Sequence, residues 1–329
     1  MTIINGIEID YIKYNRNIIK EAIQNNVPIE EKLNVIAVIS NPFLYARRYI
    51  LMKEFINRIE IEETNVNLYV VELAYGSQKF IITDKNNKNH LQLRSETPFW
   101  HKENMINLGV KYLLPSDWKA FAWIDADIEF ENASWAVDTL KVLNGSKDIV
   151  QIFSHAVDMN RDENVMSVFN SAGFQYCKGL KFSSKSPNLW HPGYAWAITR
   201  QAYEKMGGLY ERAILGSGDN IMMLSLINQA KYGINDKSTS NYKKSVLEYQ
   251  QKMKTLRFGY VPGVIRHYFH GTKENRQYRN RWQVLLKYEY EPEHFIKHDS
   301  CGLLVPTCLF SQELKDDIME YFIERKEDD

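Results

Sequence analysis

Two carboxylates one residue apart, Asp125 and Asp127, directly follow the apolar run Ala120-Phe121-Ala122-Trp123-Ile124. Both can reach one divalent cation, and carboxylate oxygens suit hard ions such as Mn²⁺ or Mg²⁺. An ion there can hold a diphosphate and offset its charge as it leaves. The competing reading is a solvated turn, or a helix N-cap ahead of Trp135. The strand that ends at Asp125 favours the metal. His267 and His270 follow a second apolar stretch, Gly259 to Ile265. Imidazole is a good Mn²⁺ ligand, so either can complete the carboxylate site. A lone histidine is more often a satisfied core residue. Two at this spacing, beside Lys273, Arg276, Arg279 and Arg281, weigh toward a ligand. The basic stretch itself is either a solvated helix face or a source of cations for a pyrophosphate. Asp219 lies behind two glycines in Gly216-Ser217-Gly218-Asp219-Asn220, where the backbone can approach a ligand and a helix can begin. Read alone, an ordinary N-cap accounts for Asp219 better than catalysis does.

Elements must bring these residues together. Asn34 to Ser40 and Asn67 to Leu73 are short, β-branched apolar runs, the pattern of buried parallel strands. The helical spacing of Arg47 to Arg58 between them makes a strand–helix–strand crossover. Ala120 to Ile124, Asp148 to Phe153, Tyr194 to Ile198 and Gly259 to Phe269 add strands. Phe80 to Leu93 is expected to hold two short strands. Helices are expected at Ile18–Ile29, Trp100–Leu113, Trp135–Leu143, Arg200–Met206, Asp219–Ala230, from about 246 to Arg257, Arg276–Leu286 and Ser311–Arg325. Residues 159–190 lack periodicity and read as a loop-rich insertion that can close over a site. The alternation predicts an α/β fold with a mostly parallel sheet and helices on both faces, and ligands beyond the carboxyl ends of the strands. The expected division is an N-terminal extension at 1–33, a main domain at 34–290 split near 130, and a helical extension at 291–329.

Composition narrows the partners. The 41 basic residues balance 41 acidic ones, which argues against nucleic acid. Three cysteines match no zinc pattern and suggest no disulfide framework, which points to a reducing compartment. No apolar run approaches the roughly 18 residues of a membrane span, and Met1 to Asp10 shows no signal-peptide pattern. The expected location is the cytoplasm.

The order of these motifs resembles the GT-A glycosyltransferases, and within them the β-1,4-galactosyltransferase group, over roughly residues 34 to 287. That group ends a strand in a Pro-aromatic turn followed by Arg, which receives the nucleotide; Asn41-Pro42-Phe43 with Arg47 or Arg48 matches. A polar residue for the nucleotide stands on the next strand, matched by Glu72. A helix against base and ribose follows, matched by Trp100-His101-Lys102 and Asn107-Leu108-Gly109. The Asp-x-Asp motif is Asp125-Ala126-Asp127. The Gly-aromatic acceptor strand is matched by Gly193, Tyr194 and Trp196, a following turn by Gly207-Gly208, and the late metal ligand by His267 or His270. The family's Gly-rich loop ends in an acidic pair that supplies the catalytic base. Here one acid, Asp219, is followed by Asn220.

The resemblance implies a GT-A fold, a Rossmann-like nucleotide-binding sheet with an acceptor-side subregion. It implies a nucleoside diphosphate sugar, uridine-linked in most of the group, held through Mn²⁺ or Mg²⁺ on Asp127, a histidine and Asp125. Pro42, Phe43, Arg47, Glu72, Trp100, Lys102, Asn107, Asp125 and Ala126 would bind the donor. Asp219 would deprotonate the hydroxyl of a glycan or other acceptor, with inversion; a retaining scheme shares much of this layout. Two rivals stand beside it. A nucleotidyltransferase usually has a Gly-rich phosphate loop after its first strand, and Ser40 to Arg48 contains no glycine. A non-catalytic sugar-binding module would not need both Asp125 and Asp219.

Overall fold

The protein is described here by a computed structural model covering residues 27–186, 189–272, 274–276 and 281–328, together with two paired two-residue strands at Ile3–Ile4 and Ile7–Glu8. Most of the helix expected at Ile18–Ile29 lies outside the described residues, as do Lys273 and Arg279.

The principal sheet has seven strands. In chain order they are β1 (Leu33–Ser40), β2 (Val66–Tyr75), β3 (His90–Ser95), β4 (Ala120–Ile124), β6 (Ile149–Gln151), β9 (Ala195–Thr199) and β10 (Phe258–Tyr260). Their spatial order is β10-β6-β9-β4-β1-β2-β3. All neighbours run parallel except β9, which is antiparallel to both β4 and β6. The sheet is therefore mostly parallel, and it unites strands from both halves of the 34–290 segment.

Side chains alternate across a strand, so a strand buried on both faces feeds two cores. Leu33, Val35, Ala37 and Ile39 of β1 join one core, and Ile36 and Val38 the other. In β4 the split is Ala120, Ala122 and Ile124 against Phe121 and Trp123. Helix α1 (Ala46–Glu62) puts Met52, Phe55 and Ile59 on the first face, where α3 (Trp135–Leu143) adds Trp135 and Leu140. Helix α2 (Lys102–Tyr112) covers the second with Met105, Ile106 and Leu108. Its Gly109 touches the sheet: a Cβ there would stand 3.0 Å from an Ile36 methyl carbon. Each large apolar side chain so buried contributes about 1.5–3 kcal/mol, which holds rigid the strand ends that carry the polar residues.

A second sheet of four short strands stands beside the first. It comprises β5 (Ile128–Phe130), β7 (His155–Met159), β8 (Val165–Asn170) and β11 (Val264–His267), in the order β8-β7-β11-β5. Three expectations change. The strand expected over Gly259 to Phe269 is two strands, β10 and β11, in different sheets, separated by Pro262 and Gly263. Proline has no N–H to donate to a ladder, so the pairing stops there. The insertion at 159–190 contains β8 and the short helix α4 (Ala172–Cys177), capped by Ser171. Residues 80–89 form turns, so only one of the two strands expected in Phe80 to Leu93 is present, at β3.

Helices α5 (Arg200–Met206), α6 (Gly218–Leu226), α7 (Ser240–Met253), α8 (Trp282–Lys287) and α9 (Gln312–Glu324) follow, and the 291–329 segment expected to be helical also holds an antiparallel strand pair, Ile296–His298 with Leu304–Pro306, after a short helix at Pro292–Phe295. Leu314, Ile318, Tyr321 and Phe322 of α9 join the same core as α2 and α6. No helix among the described residues is long and apolar enough to cross a membrane.

Candidate metal centre and active site

The Asp125-Ala126-Asp127 segment links the two sheets, joining the end of β4 to the start of β5. Asp125 N–H donates to Tyr194 O at 2.9 Å, and Tyr268 N–H to Asp127 O at 2.7 Å. In the second sheet Ile128 faces His267 in register. Just beyond β11 the chain brings His270 back over the site. His270 Nε2 lies 2.8 Å from Asp127 Oδ2, His267 Nε2 lies 3.7 Å from the same oxygen, and the two Nε2 atoms are 3.3 Å apart. Ligands about 2.1 Å from one ion and at right angles to each other stand about 3 Å apart, so these spacings fit a shared divalent cation. Asp127 Oδ1 is buried with no hydrogen-bond partner among the described residues, a further position for an ion. Two imidazoles and one carboxylate suit a first-row transition ion such as Mn²⁺ better than Mg²⁺, which prefers oxygen ligands.

Charges in this cluster respond to one another. Burial pushes the His267 imidazole down, but the Asp127 and Asp158 carboxylates outweigh it and raise its pKa. Burial and Arg276 push His270 down to about 4, so it presents a neutral nitrogen near pH 7. Burial raises the Asp127 carboxyl, yet His270 and His267 bring it well below the usual carboxylate range.

Asp125 stands apart from that trio. The Lys102 ammonium, at the first turn of α2, forms an ion pair with Asp125 Oδ1. Burial lowers the Lys102 pKa, but Asp125, Asp219 and Glu103 together raise it above the ordinary value. Burial, reinforced by Asp219, pushes the Glu103 carboxyl up to about 8 despite Lys102. Lys102, Asp125, Glu103 and Asp219 therefore form a second cluster of titratable groups beside Asp127, His267 and His270. The structure brings Lys102 and Asp125 together as expected, but as each other's partners.

Asp219 belongs to the same cluster. The N-cap of α6 is Ser217, in the left-handed region at φ 80°, and Asp219 stands one residue inside the helix. The N-cap reading of Asp219 therefore falls away. Its Oδ1 accepts from Asn220 N–H at 2.7 Å. Its Oδ2 faces Gly193: a Cβ on that glycine would lie 3.1 Å from Asp219 Oδ2 and 3.2 Å from His191 Cε1. Next to it, Tyr194 holds a left-handed φ of 80°. Its ring stacks 4.1 Å from His191 and lies 4.7 Å from His267. Gly193 and Tyr194 thus connect Asp219 to His267 and the cluster it forms with His270 and Asp127. Trp196 does not join them. It is fully buried against Trp123 and Phe258, and its Nε1 donates to Pro192 O.

Residues expected at the nucleotide meet partners within their own chain. Glu72 is buried, and its two oxygens accept from the backbone N–H groups of Ile81, Ile82 and Thr83 and from the Thr83 hydroxyl. It shapes the loop after β2. Asn107 clamps the 207–211 turn, donating to Leu209 O and Glu211 and accepting from Leu209 N–H and the Tyr203 hydroxyl. Pro42 O accepts from Gln78, Phe43 packs against the core, and Ala126 is partly buried. Arg47 Nε donates to Phe269 O at 2.9 Å, tying α1 to the turn that carries His270. Trp100 lies under the guanidinium groups of Arg325 and Arg281, at 5.1 and 6.0 Å.

The C-terminal segment after α9 reaches the start of α1. Glu327, almost fully buried, pairs with Arg48 and Arg325. Asp328 accepts from Ala46 N–H at 2.9 Å and Arg47 N–H at 2.8 Å, the start of α1. Neither contact is suggested by the sequence pattern, since each joins residues nearly 280 positions apart. Asp158, bonded to His267, is a third residue outside the expected site. Its strand β7 abuts the stretch read as a loop, though a polar residue among His155-Ala156-Val157-Asp158-Met159 is a strand-like signal.

No protein-family model and no curated protein matches the chain. Among solved structures, the catalytic domain of Drosophila β1,4-galactosyltransferase 7 in complex with xylobiose is similar at 9% identity and a TM-score of 0.40, over 88% of this chain and 99% of that one. A point variant of that enzyme with manganese, UDP-Gal and xylobiose gives 8% identity and 0.40, over 87% and 98%. Residues 1–349 of S. aureus TarS give 12% identity and 0.40, over 89% of this chain and 71% of that one.

Proposed function

We propose that this chain is a metal-dependent GT-A glycosyltransferase. It moves a sugar from a nucleoside diphosphate donor, with uridine as the first choice of base, to an acceptor hydroxyl with inversion. One observation carries the reading: a three-ligand cation cluster, Asp127, His267 and His270, is joined through Tyr194 and Gly193 to a separate carboxylate, Asp219. A sugar-binding module has no use for that pairing. The preference for uridine is what the family resemblance implies.

Asp127, His267 and His270 would hold Mn²⁺, which when bound supplies positive charge to the departing diphosphate. Lys102 fixes Asp125 beside the cluster, and its raised pKa keeps it cationic. Asp219 accepts the proton of the acceptor hydroxyl. That oxygen bonds to the anomeric carbon as the bond from carbon to the diphosphate oxygen breaks, and the electron pair leaves with the nucleoside diphosphate. Gly193, lacking a side chain, leaves the space in front of Asp219 open.

The test is calorimetry with Mn²⁺ and a panel of nucleoside diphosphates, followed by donor hydrolysis and transfer assays with the best of them. Metal-dependent nucleotide binding with slow donor hydrolysis is expected. Nucleotide affinity unaffected by Mn²⁺ would remove the metal, and no nucleotide binding at all would remove the reaction class.

A further inference from the structure

We infer that Asp158 is a positioning residue for the metal centre: it orients His267 and fixes which of its nitrogens faces the ion. The inference rests on the metal reading proposed above. Strands β7 and β11 pair in parallel, and their register sets Asp158 opposite His267. Side chains at paired positions share a sheet face. Asp158 Oδ1 lies 2.6 Å from His267 Nδ1, within the range of a charge-assisted bond. Both residues are buried.

An acid so buried needs a partner, because an isolated buried carboxylate costs several kcal/mol. His267 supplies one. With Nδ1–H donated to Asp158, the Nε2 lone pair points the other way, and Nε2 is the atom that stands 3.3 Å from His270 Nε2 and 3.7 Å from Asp127. The imidazole is therefore bound on one side by a carboxylate and open on the other toward two further ligand atoms. A carboxylate behind a ligating histidine locks its tautomer and makes its far nitrogen a better donor. The Ser167 hydroxyl on β8 lies 3.4 Å from Asp158 Oδ2, so the arrangement extends across three strands of the second sheet. Tyr194, 4.7 Å from the His267 ring, limits the ring's freedom from another side.

The probe is Mn²⁺ alone, titrated by calorimetry and by electron paramagnetic resonance into the full chain. Removing an outer-shell partner of a metal ligand typically weakens metal binding about 10–100-fold. Asp158→Ala is expected to lose about that much. Asp158→Asn keeps an acceptor for Nδ1–H but not the charge, and should fall between wild type and Ala. Ser167→Ala, at the longer contact, should change affinity by less than either. Thermal unfolding in EDTA separates a structural role, which would lower stability while leaving the Mn²⁺ affinity of the folded protein unchanged. Nitrogen-15 spectra of His267 give a second readout, with the Nδ1–H tautomer in the wild type and a mixture in Asp158→Ala. Wild-type Mn²⁺ affinity together with an unchanged tautomer in Asp158→Ala overturns the inference, and Asp158→Val, which fills the space without an acceptor, serves if Asp158→Ala does not fold. A wild-type protein that binds no Mn²⁺ overturns the metal reading itself.

Discussion

The proposed metal side and the proposed nucleotide side of the site are built differently. On the metal side, Asp127, His267 and His270 converge with one carboxylate oxygen left without a partner among the described residues. On the other side, Glu72 and Asn107 have their polar groups satisfied by their own chain, and Arg48 is tied to Glu327. Incompletely satisfied buried groups mark a place where something else must bind. Fully satisfied ones mark scaffold. Substitutions on the first side should therefore change ligand binding or turnover with the fold retained, and on the second side should change stability first.

The largest effect is expected at Asp127. Asp127→Ala removes one of three ligands and should abolish Mn²⁺-dependent nucleotide binding, read by calorimetry, while circular dichroism stays unchanged. Asp125→Ala is its control. Because Asp125 pairs with Lys102, that variant should keep Mn²⁺ binding. Equal loss of Mn²⁺ in both would return Asp125 to the ligand set.

Asp219 comes next. General-base assistance is worth about 10²–10⁴-fold, so Asp219→Asn should lower turnover by that factor with donor affinity nearly unchanged. Loss of a helix-start bond does not explain such a result, since Asn keeps an oxygen for the Asn220 N–H that Asp219 Oδ1 accepts. Near-normal turnover would favour a retaining scheme without a protein base.

On the scaffold side, Glu327→Ala leaves Arg48 and Arg325 without their buried carboxylate. Breaking a buried pair in this way costs about 3–5 kcal/mol, to be measured by chemical denaturation. The two guanidinium groups outweigh burial and hold the Glu327 carboxyl well below its ordinary range. Its folded pKa is thus depressed below the unfolded value of about 4.3. The stabilisation is present above a pH of about 4.3 and is lost as pH falls below it. Wild type and variant should therefore converge in stability under acid, and a constant difference from neutral pH down to about pH 2 would contradict the pairing.

The two sides also differ in how far the sequence revealed them. Fully buried runs such as Ala120 to Ile124 declared their strands, and residue type plus position at a strand end declared Asp127 and His267. Short strands with exposed apolar residues did not. Val165, Met166 and Val168 of β8 are exposed, so no core-facing alternation marks them. Strand β5 has three residues, too few for periodicity. Glu72 and Asn107 occupy the expected elements, but which groups their side chains meet depends on loops distant in sequence. The same holds for Glu327 and Asp328, whose partners lie at the start of α1.

The smallest effect is expected at Asp328, and it bears on how the C-terminal segment is fastened to the scaffold side. Helix α1 begins at Tyr45, which makes no side-chain capping bond. Its first N–H groups would otherwise face water. Asp328 accepts two of them, from Ala46 and Arg47, and so caps the helix from the far end of the chain. Losing an N-cap acceptor costs about 0.5–2 kcal/mol, and the exposure of Asp328 argues for the lower end. Asp328→Ala should lower stability by about 0.5–1 kcal/mol on that scale. Asp328→Asn keeps one of the two acceptor oxygens, replaces the other with an NH2 that cannot accept, and loses the charge that favours the positive helix end, a term of about 0.3–1 kcal/mol that salt screens. Both variants should thus move toward wild type by the same screened charge term as ionic strength rises, with Asn the closer of the two because it keeps one acceptor. Chemical denaturation of both at low and high salt reads this directly. A salt-independent Asn effect would show that the tail is held by Glu327 and by the Tyr45 hydroxyl bonds to Phe322 and Ile323, with no electrostatic share from Asp328.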